Sequence, residues 1–155
     1  MPSLTVGDAK VRVVAGEAYG ARSPVSANVD LFYVDAHIPM EGRLPLPAVH
    51  EQRAAYVVDG ALKVGDATAQ AGEILVFEAG VDLELNAPQE THVVLFGGAP
   101  LDVPRYVWWN YVASDEAFLK KAQQAWRDDA LGHVEGDPER IPLPENRPSV
   151  RLFPE

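Results

Sequence analysis

Between Gly42 and Ala87 the chain alternates apolar and polar positions, and glycines divide the alternation into short runs. Ala54–Val58 and Ala61–Val64 flank Asp59-Gly60, a tight-turn pair, and so predict two strands joined by a short connection. Gly65-Asp66 marks a second turn. Gly72 then precedes an expected strand over Glu73–Phe77, and Gly80 precedes Val81-Asp82-Leu83-Glu84-Leu85. In that last run a strand puts Val81, Leu83 and Leu85 on one face and Asp82 and Glu84 on the other. The pattern describes a small barrel with an apolar inside and an acidic outside.

The flanking segments extend this picture. Residues 1–9 read as a frayed arm. Lys10–Ala15 is an expected strand with Val11, Val13 and Ala15 facing one way, and Gly16-Glu17 opens a loop expected to reach Pro24. Leu31–Ile38 alternates cleanly, with Phe32, Val34, Ala36 and Ile38 on the apolar face and Tyr33, Asp35 and His37 on the other. Pro39–Pro47 carries prolines that cannot donate to a ladder, so it is a connection or an edge. Thr91–Phe96 is apolar on both faces and is expected to be buried on both, before Gly97-Gly98 and Pro100 break it.

A segment of different character follows. Arg105–Val112 (RYVWWNYV) reads as an aromatic strand that closes the sheet, with Trp108 and Trp109 on opposite faces. One of the two would then cover a second surface, either the following helix or another chain. Ser114 is the expected cap of a helix with Asp115 and Glu116 in its first turn, where the macrodipole favours acids. Phe118, Leu119, Ala122, Ala125 and Trp126 fall in one stripe, Lys120, Lys121, Gln124 and Arg127 lie outside it, and Gly132 is a plausible stop. The expected organisation is one domain: a barrel over about residues 10–112, a docking helix over about 114–131, and an extended proline-rich tail over 136–155.

Composition narrows the function classes. No apolar run approaches the roughly twenty residues of a membrane span. No basic-then-apolar leader opens the chain, so a cytoplasmic location is expected. The absence of cysteine fits a reducing compartment and leaves no thiol chemistry. A net charge of −10 repels phosphate backbones, which disfavours direct nucleic-acid binding.

Few residues suggest chemistry. Asp35 with His37 reads either as half of a metal or acid–base site or as the solvated side of a strand; the latter is preferred because the alternate residues claim the core face. His50-Glu51, at the mouth of the next strand, reads as a ligand and an acid–base group or as polar turn residues. His92 reads as a rim histidine or a ligand. A transition metal normally requires three or four converging protein ligands.

The glycine frame resembles the two motifs of the cupin family. In the second motif Glu78 stands for a proline, Leu83 for a histidine ligand and Ala87 for an asparagine, around Gly72 and Gly80. In the first, which matches more loosely, Gly42 counts forward to Ala48 and His50, and Gly60 counts back to Arg53 where a glutamate ligand would sit. Of four ligands, His50 alone survives. The resemblance implies an all-β fold, a cupin double-stranded β-helix or jelly-roll barrel with a C-terminal docking helix.

A closer resemblance rests on RYVWWNYVASDEAFLKKAQQAW with Ile141-Pro142-Leu143-Pro144, on Ala15-Gly16-Glu17 with Ser23-Pro24-Val25, and on His50-Glu51 ahead of Tyr56-Val57. Over roughly residues 10–145 the chain resembles the C-terminal half of the pirins. Pirins are bicupins: their N-terminal half holds iron through three histidines and a glutamate, and their C-terminal half has lost its metal. Some bacterial members are quercetin 2,3-dioxygenases, and the animal protein is a nuclear transcriptional co-regulator. The resemblance carries over the barrel, the helix and an empty second pocket, but none of the iron ligands.

Two function classes follow. One is a non-catalytic binding, regulatory or assembly module with no cofactor, whose ligand-pocket candidates are His50, Glu51, Arg53, Leu83 and His92. The other is a dioxygenase with iron or another transition metal on a reduced site of His50, Glu51 and His92. A surface left bare by the missing half implies a homodimer or a second cupin domain as partner, with Trp108, Trp109 or the first strand near the contact. A small-molecule ligand at the barrel mouth is the further expected partner.

Overall fold

The computed structural model describes residues 1–145 and 150–152. The chain divides into two compact units, Met1–Pro100 and Leu101–Glu155. The first contains β1 (Ser3–Val6), β2 (Ala9–Ala18), β3 (Ala21–Arg22), β4 (Leu31–Ile38), β5 (Arg43–Leu46), β6 (Gln52–Asp59), β7 (Ala61–Val64), β8 (Ala67–Gln70), β9 (Ile74–Phe77), β10 (Leu83–Asn86) and β11 (Thr91–Gly98). The second contains β12 (Arg105–Trp108), β13 (Tyr111–Ala113), α1 (Glu116–Arg127) and β14 (Val150–Leu152).

Two antiparallel sheets make the first unit. One runs β1-β2-β4-β11-β6-β9, with β3 also on β2; the other runs β5-β10-β7-β8. Their inner faces supply a single core: Val11, Val13, Val34, Ala36, Val57 and Leu95 from the first sheet meet Leu44, Leu62 and Leu85 from the second. The apolar face expected of Leu31–Ile38 is this one, and Phe32, Val34, Ala36 and Ile38 are all buried. β5 is an edge strand, and there the ladder tolerates Pro45.

The two sheets are joined through Asp59-Gly60. Gly60 takes φ +84, and a Cβ there would meet Glu90 O at 2.5 Å and Thr91 Oγ1 at 2.6 Å, so glycine is required twice over. The buried Thr91 hydroxyl closes the corner, accepting from Ala61 N and donating to a neighbouring carbonyl.

Several expectations need correction. Residues 3–6 are not frayed: they pair with β2, because Leu4 and Val6 pack onto the core at alternate positions. The expected loop from Gly16 is instead the end of β2 and a hairpin into β3. Tyr19 and Gly20 carry φ 54 and 72 between the paired residues Ala18 and Ala21, a primed two-residue turn without the usual Asn-Gly. Val81 lies outside β10 and is exposed, whereas Leu83 and Leu85 do face the core. The outer face of β11 (His92, Val94, Phe96) is half-buried rather than buried.

In the second unit, Arg105–Val112 is not one closing strand. It is a hairpin in its own three-stranded sheet, turning at Trp109 (φ 53) and Asn110, so Trp109 occupies a turn rather than a strand face. The helix is capped by Asp115, whose carboxylate accepts from Ala117 N at 2.8 Å, one residue beyond the expected Ser114. It ends at Arg127, before the expected stop at Gly132. Leu119 is its buried residue, whereas Phe118 is exposed despite its place in the apolar stripe. Trp109 and Trp126 meet edge to face at 5.4 Å, and Trp126 Nε1 donates to Ile141 O. The tail returns at β14 to pair with β12; residues 146–149 and 153–155 lie outside the described residues.

Candidate functional site

The inner face of β6 reads Arg53, Ala55, Val57, so strand alternation alone delivers a guanidinium into the apolar interior. Arg53 is 2% exposed. Among the described residues no carboxylate pairs with it. Its Nη1 donates to Leu46 O (3.1 Å) and Pro47 O (3.2 Å), and its Nη2 to Glu78 O and Val81 O (both 2.7 Å). The fork of the guanidinium suits this task, since its donors lie in one plane and diverge toward separate acceptors. One side chain thereby ties the end of β5 to the segment between β9 and β10. Nε is buried without a partner.

Beside this lies a cavity of about 410 Å3 at the barrel mouth, lined in part by Tyr19, Phe32, Leu46, Pro47, Val49 and His50. The His50 ring stacks on Phe32 at 4.6 Å, and its Nε2 donates to Glu17 O at 3.1 Å. Its Nδ1 is buried, without a hydrogen-bond partner, 3.8 Å from Asp30 Oδ1. The Tyr19 hydroxyl donates to Pro45 O at 2.9 Å, and burial pushes its pKa upward. Glu51 is exposed, and Leu83 packs half-buried against the core.

His92 is elsewhere. It lies on the outer face of the larger sheet, directly opposite His37 in the β4–β11 ladder. Its Nε2 donates to Asp35 Oδ1 at 2.6 Å, its ring stacks on His37 at 4.1 Å, and Asp35 Oδ2 takes a 2.9 Å ion pair from Arg12. Partial burial pushes the Asp35 carboxyl up, but the Arg12 and His92 hydrogen bonds and charges together hold it below the usual range.

The structure therefore does not bring His50, Glu51 and His92 together. His50 sits on the inner face, at the end of β11 where Gly98 pairs with Gln52. His92 sits on the outer face at the other end, about 20 Å away by strand rise. The structure instead brings together Asp35, His37 and His92. Asp35 and His37 share a face by simple alternation, but only the strand register supplies His92. Tyr19 is a residue the sequence reading missed, because its turn lacks the expected residue types.

The sequence pattern of the pirin C-terminal cupin domain matches residues 33–132. The chain belongs to the pirin family. It is 34% identical over 146 residues to a pirin-like protein of Caulobacter vibrioides, covering 94% of this chain and 50% of that protein. It is 27% identical over 118 residues to a candidate quercetin 2,3-dioxygenase of Pseudomonas aeruginosa, covering 75% of this chain and 38% of that protein. The crystal structure of a quercetin 2,3-dioxygenase from Acinetobacter baumannii superposes with a TM-score of 0.78 at 24% identity, covering 96% of this chain and 52% of that one. The fold is thus the all-β cupin fold with a short C-terminal helix. This pirin chain spans half or less of the length of the curated relatives it matches. Among its described residues no helix is long and apolar enough to cross a membrane.

Proposed function

We propose that this pirin domain is a non-catalytic binding module whose interior cation is covalent: Arg53 occupies the space and the charge that a metal would otherwise bring. The observation that supports this most directly is the four carbonyl acceptors gathered on one buried guanidinium. The interior residues do not fit a metal ion. The motif positions hold His50, Arg53 and Leu83, which offer one imidazole nitrogen, a fixed positive charge and a hydrocarbon. A divalent ion entering there would displace carbonyls from the guanidinium and face its charge at short range.

The mouth cavity is the binding site in this reading. Its volume lies in the usual range for small-molecule pockets, and its walls are mainly apolar, with His50 and Tyr19 among the lining residues. A small, flat, largely apolar organic molecule suits the Phe32–His50 stack. A second reading is favoured by the names of the relatives: quercetin oxidation by a longer protein in which another cupin domain carries the metal. Oxygen consumption by the purified chain, supplied with quercetin and Fe2+, tests whether this chain is itself catalytic; the second reading predicts turnover only from a longer protein that includes the metal-bearing cupin domain. No turnover above free Fe2+ is expected, and saturable turnover would overturn the non-catalytic reading.

A further inference from the structure

The mouth cavity does not account for the histidines on the opposite face of the sheet. We propose that the outer face of the larger sheet carries a surface site for a divalent first-row transition metal, with His37, His92 and Asp35 as ligands. One ligand atom from each of the three lies within 4.8 Å of the others. His37 and His92 are direct cross-strand partners on β4 and β11, and Asp35 stands two residues before His37 on the same face. Two imidazoles and one carboxylate on one side of an ion form a known donor set, which leaves the outward positions to water.

The fit requires side-chain adjustment, and the proton that His92 Nε2 donates to Asp35 must shift to Nδ1 or leave to solvent before that nitrogen binds the ion. Metal–ligand bonds of about 2.0–2.2 Å place adjacent donors roughly 3–3.5 Å apart. The 2.6 Å His92–Asp35 contact must open slightly and the His37 ring must turn in. The backbone below is fixed, because Ala36, Ile38 and Val93 on the reverse side are fully buried. Arg12 holds Asp35 Oδ2 and leaves Oδ1 as the donor. The remaining charged neighbours are set by the ladders: Lys10 lies opposite His37 and Asp59 opposite His92. Asp59 offsets one of the two nearby cations, and a chain of net charge −10 favours cation approach.

The site is independent of the barrel interior, and repeating the quercetin assay on the His37→Ala/His92→Ala double variant separates turnover on Fe2+ held here from turnover in the interior. Its test is calorimetric titration of tag-free protein with Zn2+. One equivalent per chain is expected, lost in His37→Ala and in His92→Ala and retained in His50→Ala and His133→Ala. The last variant matters because His133 and Asp129, 2.9 Å apart in the second unit, form a competing pair. NMR of the imidazole protons should show the His37 and His92 signals moving with Zn2+ while those of His50 stay. No binding, binding unchanged in the His37→Ala/His92→Ala double variant, or binding lost in His133→Ala would each overturn the proposal. Circular dichroism of every variant separates loss of the ion from loss of the fold.

Discussion

Replacing Arg53 with methionine keeps an unbranched but shorter stem and removes all five of its N–H donors, four of which are bonded. The bonds are to a charged group, each worth about 1.5–3 kcal/mol when made. Not all of that is lost. Pro47, Glu78 and Val81 are exposed residues, so water can replace the guanidinium at their carbonyls. Leu46 is buried, and its carbonyl would be left without a partner, at a penalty of about 1–3 kcal/mol. Against these losses stands the relief of no longer burying a charge, which often makes such replacements neutral when an ion pair is exchanged whole. Here only one side is exchanged and the carbonyl dipoles remain, so the balance favours the arginine by about 2–4 kcal/mol. With a urea slope of about 2 kcal/mol/M, the midpoint should fall by about 1–2 M. Far-UV circular dichroism follows the barrel strands. Trp108, Trp109 and Trp126 all lie in the second unit, so tryptophan fluorescence reports that unit separately. An unchanged or raised midpoint by circular dichroism would refute the claim that the guanidinium holds the mouth together. Native-state hydrogen exchange should also quicken around residues 78–82, the segment tied to it.

Two smaller effects follow from other residues. Because burial raises the Tyr19 pKa above its unfolded value of about 10, the folded state holds this proton more tightly, and stability is lost as pH rises past that value. Tyr19→Phe should therefore flatten the fall in urea midpoint above pH 10, and an identical fall in both proteins would disprove the assignment. Asp115→Ala removes the helix cap and should cost about 1 kcal/mol, seen as a lower midpoint by tryptophan fluorescence; an equal loss in Ser114→Ala would return the cap to Ser114.

Local patterning explains where sequence reading succeeded. Leu31–Ile38 has the expected bounds because it alternates strictly, and Ala61–Val64 because Gly60 and Gly65 bracket it. The hairpins at Tyr19-Gly20 and Trp109-Asn110 escaped notice because a tyrosine and a tryptophan take the positive φ that glycine or asparagine usually supplies. Phe118 falls on the apolar stripe of the helix yet is exposed, because the stripe is wider than the surface that covers it.

The sequence by itself determined the barrel, its apolar filling and its family, since all three depend on spacing between near neighbours. It also marked Arg53 and Leu83 as wrong for metal ligands, which is a matter of residue type at a motif position. Only the tertiary structure decided what those residues do. The four carbonyls on Arg53 come from segments up to 28 residues away, and His92 meets Asp35 across 57 residues of chain. A one-residue slip in the β4–β11 register would turn His92 to the other face, so that meeting depends on the pairing of whole strands.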